Sequence, residues 1–311
     1  MPFDFSLLDA PFRMQPGLRR VADGGRQLTP AEPGGRHLRE KMTVLASRPR
    51  QALLRSPGFD DRTALQALAA EAGRDPSPAF TFASRSGCAA PRLGWSLVDF
   101  VPQGAGDPAI AALLRSLPAA QRPAALLTLA FNEDFAVLDG VSGGLPWLSV
   151  CLPSRWAPED KLGLALADVH APVADGELLR AASAGLVRLV TGGERWERFV
   201  WTLTAEPRLD QHPANDHARW PDSGDAATVA AAAFFRHERQ TFIPIPGATQ
   251  AVFTIHVESE PLHRAVTDAA SAGRLAAALA SMSPKVLAYR GLDAVRDRLV
   301  EWLDELGGPR P

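Results

Sequence analysis

Only two cysteines occur in the 311 residues, Cys88 and Cys151, and they form neither a CxxC pair nor a Cys/His cluster. This excludes a disulfide framework and a thiolate-held cluster within the chain, and it suits a reducing compartment. No window approaches twenty uncharged apolar residues, so no transmembrane helix is expected. The opening MPFDFSLLDAPF has no basic stretch followed by an apolar run, which points to a cytoplasmic protein. Charge of one sign is also lacking: the formal net charge of −2 gives no electrostatic reason to expect nucleic acid or an anionic membrane as partner. The Gly-rich dinucleotide fingerprint and the P-loop are both missing, so a reduced nicotinamide, if used, docks on another protein. There are no internal repeats.

What is present is an ordinary globular composition, 46% hydrophobic and 22% charged. Residues 1 to 36, rich in Pro, Gly and Arg, read as an irregular wrap. Leu and Ala at helical spacing predict helices over 37 to 54, 62 to 73 and 108 to 118, with further helices over 261 to 281 and 291 to 306. Strand signals cover 92 to 100, 124 to 138, 146 to 152, 198 to 205 and 239 to 257. Gly140-Val141-Ser142-Gly143-Gly144 joins two of these as a hairpin loop does. Its match to the GxSxG nucleophile pattern fails on context, because a strand and not a helix follows. These elements predict one α+β core with N- and C-terminal helices around it.

The segment 152 to 174, LPSRWAPEDKLGLALADVHAPVA, carries the strongest chemical signal. Pro158, Glu159 and Asp160 suit the first turn of an amphipathic helix, and Leu162, Leu164, Leu166 and Val169 supply its apolar positions. Gly163 and the alanines keep one side thin enough for a flat group to pack closely. Pro172 ends the helix and presents His170 where the backbone changes direction. A rigid imidazole beside an apolar wall is what a buried metal or haem iron needs. The plainer alternative is a helix-terminal histidine bonding its own carbonyls.

This segment, together with APFRMQPGL at 10 to 18, FFRHERQTFIPIPGATQAVFTIHV at 234 to 257 and SPKVLAYRGLDAVRDRLVEWL near the C-terminus, resembles the family of the haem-dependent oxidative N-demethylase alpha subunit. The likeness runs from about residue 10 to residue 303. It implies a PAS-like antiparallel sheet core with helices over residues 91–260, an N-terminal extension over 1–90 and a helical tail over 261–311, packed as one unit. It implies haem b held by His170 as iron ligand, with Trp156, Lys161, Arg236, Arg239 and the reserve ligand His256 among the groups around the cofactor. The guanidinium fork suits the haem propionates, although a surface ion pair is the bland account of either arginine. The implied activity is oxidative N-demethylation of a small secondary or tertiary amine with O2. Electrons come from a partner carrying flavin and an iron-sulfur cluster. Glu133 and Asp134, set in an apolar strand, are the groups expected to meet the amine and handle protons. The chain departs from the family pattern at Asn132, Ala174 and His256, which points to another substrate or to altered chemistry. A haem-based gas sensor without turnover, and a member that has exchanged haem for another apolar ligand, stay open.

One further constellation, Asp210, His212, Asp216 and His217, has metal-ligand residue types, but Pro213 and polar neighbours make a solvated loop the better reading.

Overall fold

The computed structural model describes residues 3–171 and 173–307. Eleven strands are arranged in two antiparallel sheets among the described residues, and helices pack around them. The strands are β1 (Arg19–Arg20), β2 (Leu53–Arg55), β3 (Thr81–Ser84), β4 (Gly87–Ala90), β5 (Trp95–Val98), β6 (Val101–Gly104), β7 (Asp134–Asp139), β8 (Trp147–Ser149), β9 (Trp196–Thr204), β10 (Phe234–Pro244) and β11 (Gln250–Pro261). The large sheet has seven strands in the order β1-β9-β10-β11-β7-β8-β2, and β3 to β6 form a separate four-stranded meander. The expected α+β class and the mainly irregular N-terminal wrap are both present. No helix among the described residues is long and apolar enough to cross a membrane. Cys88 and Cys151 are buried and unbridged.

The turn at 140 to 144 does join β7 to β8, with Phe135 paired to Ser149. Asp139 holds it by accepting from Val141 N, Ser142 N and Ser142 Oγ at 3.0, 2.7 and 2.9 Å. Three sequence-based expectations need correction. Residues 124 to 130, the start of the strand expected over 124 to 138, lie in the helix Arg122–Ala130. Pro123 sits in its first turn, and its one β-branched residue, Thr128, returns its hydroxyl to the Ala124 carbonyl at 2.8 Å. A fully apolar run carries no periodicity that separates a buried strand from a buried helix. The single strand expected over 239 to 257 is a hairpin, β10 and β11, turned at Gly247 with φ +74°.

The third correction concerns the helix expected after Pro158. Only a single turn, Pro158–Asp160, and the four-residue helix Leu166–Val169 form. Gly163, at φ +77°, breaks the run. The backbone then pairs with the β7–β8 turn: Gly163 N donates to Leu145 O at 2.9 Å, and Leu166 N to Gly143 O at 2.9 Å. Pro172, the expected stop, lies outside the described residues. The helices Glu177–Val190 and Pro284–Arg290 were not anticipated. The second carries readable signals, an N-cap Ser283, Pro284 at the first position and Gly291 at the C-cap with φ +65°.

Strand register sorts the side chains of the large sheet onto two faces. One row runs Trp196, Phe242, Phe253, Ala136, Leu148, Leu54 across six strands. Segment 156 to 169 and the helix Glu177–Val190, through Leu186, Val187 and Val190, cover this first face. The second face carries Phe235, Trp201 and Leu203 under the C-terminal helices at one end. At the other end Phe135 and Val137 lie under the helices of the N-terminal half.

Candidate functional site

On the first face, the row next to the aromatic one contains Arg198, Gln240, Ile255 and Asp134. His170 caps the short helix Leu166–Val169 on this side, its backbone N bonded to Leu166 O at 3.2 Å. Its Nδ1 is buried with no hydrogen-bond partner. Burial first, then the positive charges of Arg198 and Lys161, lower the imidazole pKa to about 4, so the ring is neutral near pH 7. Around it Leu162, Leu164, Leu166, Val169 and Trp156 remain only half-buried, although all are apolar. An orphaned buried nitrogen beside incompletely covered apolar side chains suits a flat apolar group with a metal at its centre, so the residues present fit haem.

A chain of polar side chains crosses the same face. Arg198 Nε donates to Gln240 Oε1 at 2.7 Å, and Gln240 Nε2 to Glu238 Oε2 at 2.6 Å. Ser154 Oγ donates to Glu238 Oε1 and accepts from Arg236 Nε at 2.9 Å. Arg236 is 1% exposed, and it also holds the carbonyls of Leu209 at 2.8 Å and Arg208 at 3.2 Å. Burial lowers its pKa to about 10 against the opposing charge of Glu238. Among the described residues, Arg198 by contrast makes a single long hydrogen bond through its terminal nitrogens, to Pro16 O at 3.5 Å. It was missed because alternation in WERFVW shows which residues share a face, but not that register sets Arg198 beside Gln240.

The sheet separates Arg239, His256 and Glu133 from His170. Arg239, on the second face, binds Glu197 Oε2 through Nε at 2.9 Å and Nη2 at 2.7 Å. His256 shares that face with it. Glu133 accepts from Thr29 N with both oxygens at 3.0 Å and lies 3.1 Å from His256 Nδ1. Burial pushes the Glu133 carboxyl up, but the bonds from His256 and Thr29 outweigh it and hold it below the usual range. The other ring nitrogen of His256, Nε2, lies 3.0 Å from Glu258 Oε1. Burial opposes charge on His256, yet the two carboxylates raise it to about 9.

Asp134 opens β7 and falls in register with the first face. Its Oδ2 accepts from Leu152 N at 2.6 Å, and its Oδ1 is 3.3 Å from Lys41 Nζ. Burial raises its pKa despite the lysine. The four residues of the 210 to 217 loop do not converge: Asp210 pairs with Arg48, His212 with Glu159 at 3.2 Å, and His217 lies 3.6 Å from Glu206, while the Asp216 carbonyl accepts from Arg208.

The fold thus sets a neutral, half-buried histidine and the charge of Arg198 on one face of an antiparallel sheet in an α+β protein. Residues 110–300, well over half of the chain, match the family described as haem-dependent oxidative N-demethylase, alpha subunit-like. The chain belongs to that family.

Proposed function

We propose that this chain is the haem-carrying subunit of an oxidative N-demethylase acting on a small secondary or tertiary amine, supplied with electrons by a separate flavin and iron-sulfur protein. The observation that carries the reading is His170, whose buried Nδ1 has no partner and whose pKa is lowered to about 4. A neutral imidazole offers a lone pair for iron without first losing a proton. Bound haem supplies the iron chemistry of oxygen and electron uptake.

The chain's own residues supply the rest. Phe242, Phe253, Leu162 and Leu166 form the apolar wall that excludes water. Arg198 and Lys161, the two cations whose charge acts on His170, are our choice for the partners of the propionate carboxylates. Arg236 fixes the geometry of the polar row through Ser154 and Glu238. Glu133 faces the other side of the sheet, so the amine is assigned to Glu238, the carboxylate in the row that reaches Arg198. Its charge attracts an ammonium, and its bonds to Gln240 and Ser154 hold it in place.

The test is His170→Ala. The expected result is loss of stoichiometric haem binding, or a Soret band shifted by whatever ligand replaces the imidazole. An unchanged Soret maximum and haem content would overturn the assignment. Formaldehyde release from methylated amines, with a competent reductase added, tests the reaction; full haem content with no product from any such amine would place the chain with gas-binding proteins instead.

A further inference from the structure

On the second face of the sheet, away from His170, three donor atoms converge. His37 Nε2, His256 Nε2 and Glu258 Oε1 come from the helix Arg36–Ser47 and from β11, and such a set lies within 4.8 Å of one another. The individual spacings are 3.0 Å from His256 to Glu258 and 3.9 Å from His37 to Glu258. Two donors each about 2.0–2.2 Å from one ion are at most about 4.4 Å apart, so the group needs only a small adjustment to share one. The two imidazole rings stand edge-to-face with centroids 5.3 Å apart.

Two observations point beyond a network of hydrogen bonds. First, Glu133 sits behind His256 at 3.1 Å from Nδ1, which sets Nδ1 as the donor and turns Nε2 toward Glu258 and His37. A carboxylate behind a histidine is the outer-shell arrangement that orients metal ligands, and an ion at Nε2 displaces the proton that Nε2 shares with Glu258. Second, His237 lies opposite Glu258 in the β10–β11 register, is 6% exposed, and has a buried Nδ1 with no partner. The side-chain charges acting on it most are those of Glu258 and His256, so a third imidazole borders two of the three donors. Charge balance agrees. Glu133 and Glu258 place two carboxylates around one imidazole, and a divalent ion at Nε2 neutralises both while Nδ1 keeps its proton. Lys41 does not serve, because it is paired with Asp134.

We propose that His37, His256 and Glu258 form a divalent transition-metal site of two imidazoles and one carboxylate, oriented by Glu133 and separate from the haem site. The donor set suits zinc or ferrous iron and not magnesium or calcium. Binding replaces the bond that His37 Nε2 makes to the Val257 carbonyl at 2.7 Å. The ion ties the N-terminal helix to a strand more than two hundred residues later in the chain.

The experiment uses the full-length chain, stripped with a chelator, and zinc chloride as probe. Wild type is expected to bind one zinc per chain beyond its haem iron, with Tm rising as zinc is added and the Soret band unmoved. Glu258→Gln, which keeps the side-chain shape, is expected to abolish the zinc-dependent rise, and Glu133→Gln, which leaves all three donors, to weaken binding about 10- to 100-fold. Should Glu258→Gln not fold, His37→Gln replaces it, with the same loss expected. No zinc-dependent change in wild type, an equal response in the ligand variants, or a zinc-induced Soret shift would overturn the proposal.

Discussion

Replacing Lys41 by Met tests how the N-terminal helix is locked to the sheet. The ammonium is fully buried and donates to the carbonyls of Thr128 at 3.2 Å, Phe131 at 3.0 Å and Glu133, where the helix Arg122–Ala130 hands over to β7. It is also 3.3 Å from Asp134, which is 1% exposed. Methionine fills the space of the stem but leaves a buried carboxylate alone and takes a donor from three carbonyls. Breaking a buried pair from one side costs about 3–5 kcal/mol, because the remaining charge stays desolvated. For a chain of this size that corresponds to a fall of roughly 5–8 °C in Tm. The Lys41→Met/Asp134→Asn double variant removes both charges and is expected to recover part of the loss, with a coupling of about 2 kcal/mol or more. The assay is urea unfolding of the four proteins of the cycle. A single-variant loss below about 1 kcal/mol, or effects that simply add, would refute the reasoning.

Two further outcomes follow from the same side chains. His256, raised to about 9 by Glu133 and Glu258 despite burial, stabilises the metal-free fold fully below about pH 6.5, and this is lost as pH climbs through 9. His237, which burial lowers to about 4, acts oppositely: the unfolded chain takes up protons first, so stability drops as pH falls from about 6.5 to 4, by on the order of 3 kcal/mol. Urea midpoints measured across that whole range should therefore peak near neutrality, and a flat profile between about pH 4.5 and 6.5 would count against the histidine assignments. In the catalytic reading, Glu238→Gln removes the charge offered to the amine, so turnover is expected to fall much further than haem content; an equal fall in both would make Glu238 a purely structural residue.

The sequence was most legible where punctuation was local. Pro108 and Asp107 frame the helix Pro108–Ser116, and the glycines and Ser142 mark the β7–β8 turn. It was least legible where apolar runs lacked a period, as at 122 to 130, and where a single glycine redirected the backbone, as Gly163 does. His170 could be singled out as a candidate from its own segment, because the features that mark it are carried by near neighbours. Arg198, His37 and Glu258 could not, since their meaning depends on partners brought together by strand pairing and by a helix far away in sequence. The same limit explains Glu133 and Asp134. The two were expected within one apolar strand and on opposite faces, with Glu133 meeting the amine; they do face opposite sides, but Glu133 binds Thr29 and His256 while Asp134 opens the strand and turns to Lys41 and Leu152.

The order of strands in the large sheet also governs how the chain is assembled in time. Both edges, β1 and β2, come from the first fifty-five residues, but β2 pairs with β8 and β1 with β9, the latter at Arg19 to Glu197. During synthesis the earliest sheet-forming segments therefore wait while most of the strands between them are made. Closing such long loops delays the rewarding contacts and slows folding. Until β1 and β2 dock, β9 and β8 are the open edges of the sheet, and exposed edges invite pairing between chains. Truncation of the N-terminal wrap should accordingly harm solubility during folding more than its modest share of the core suggests.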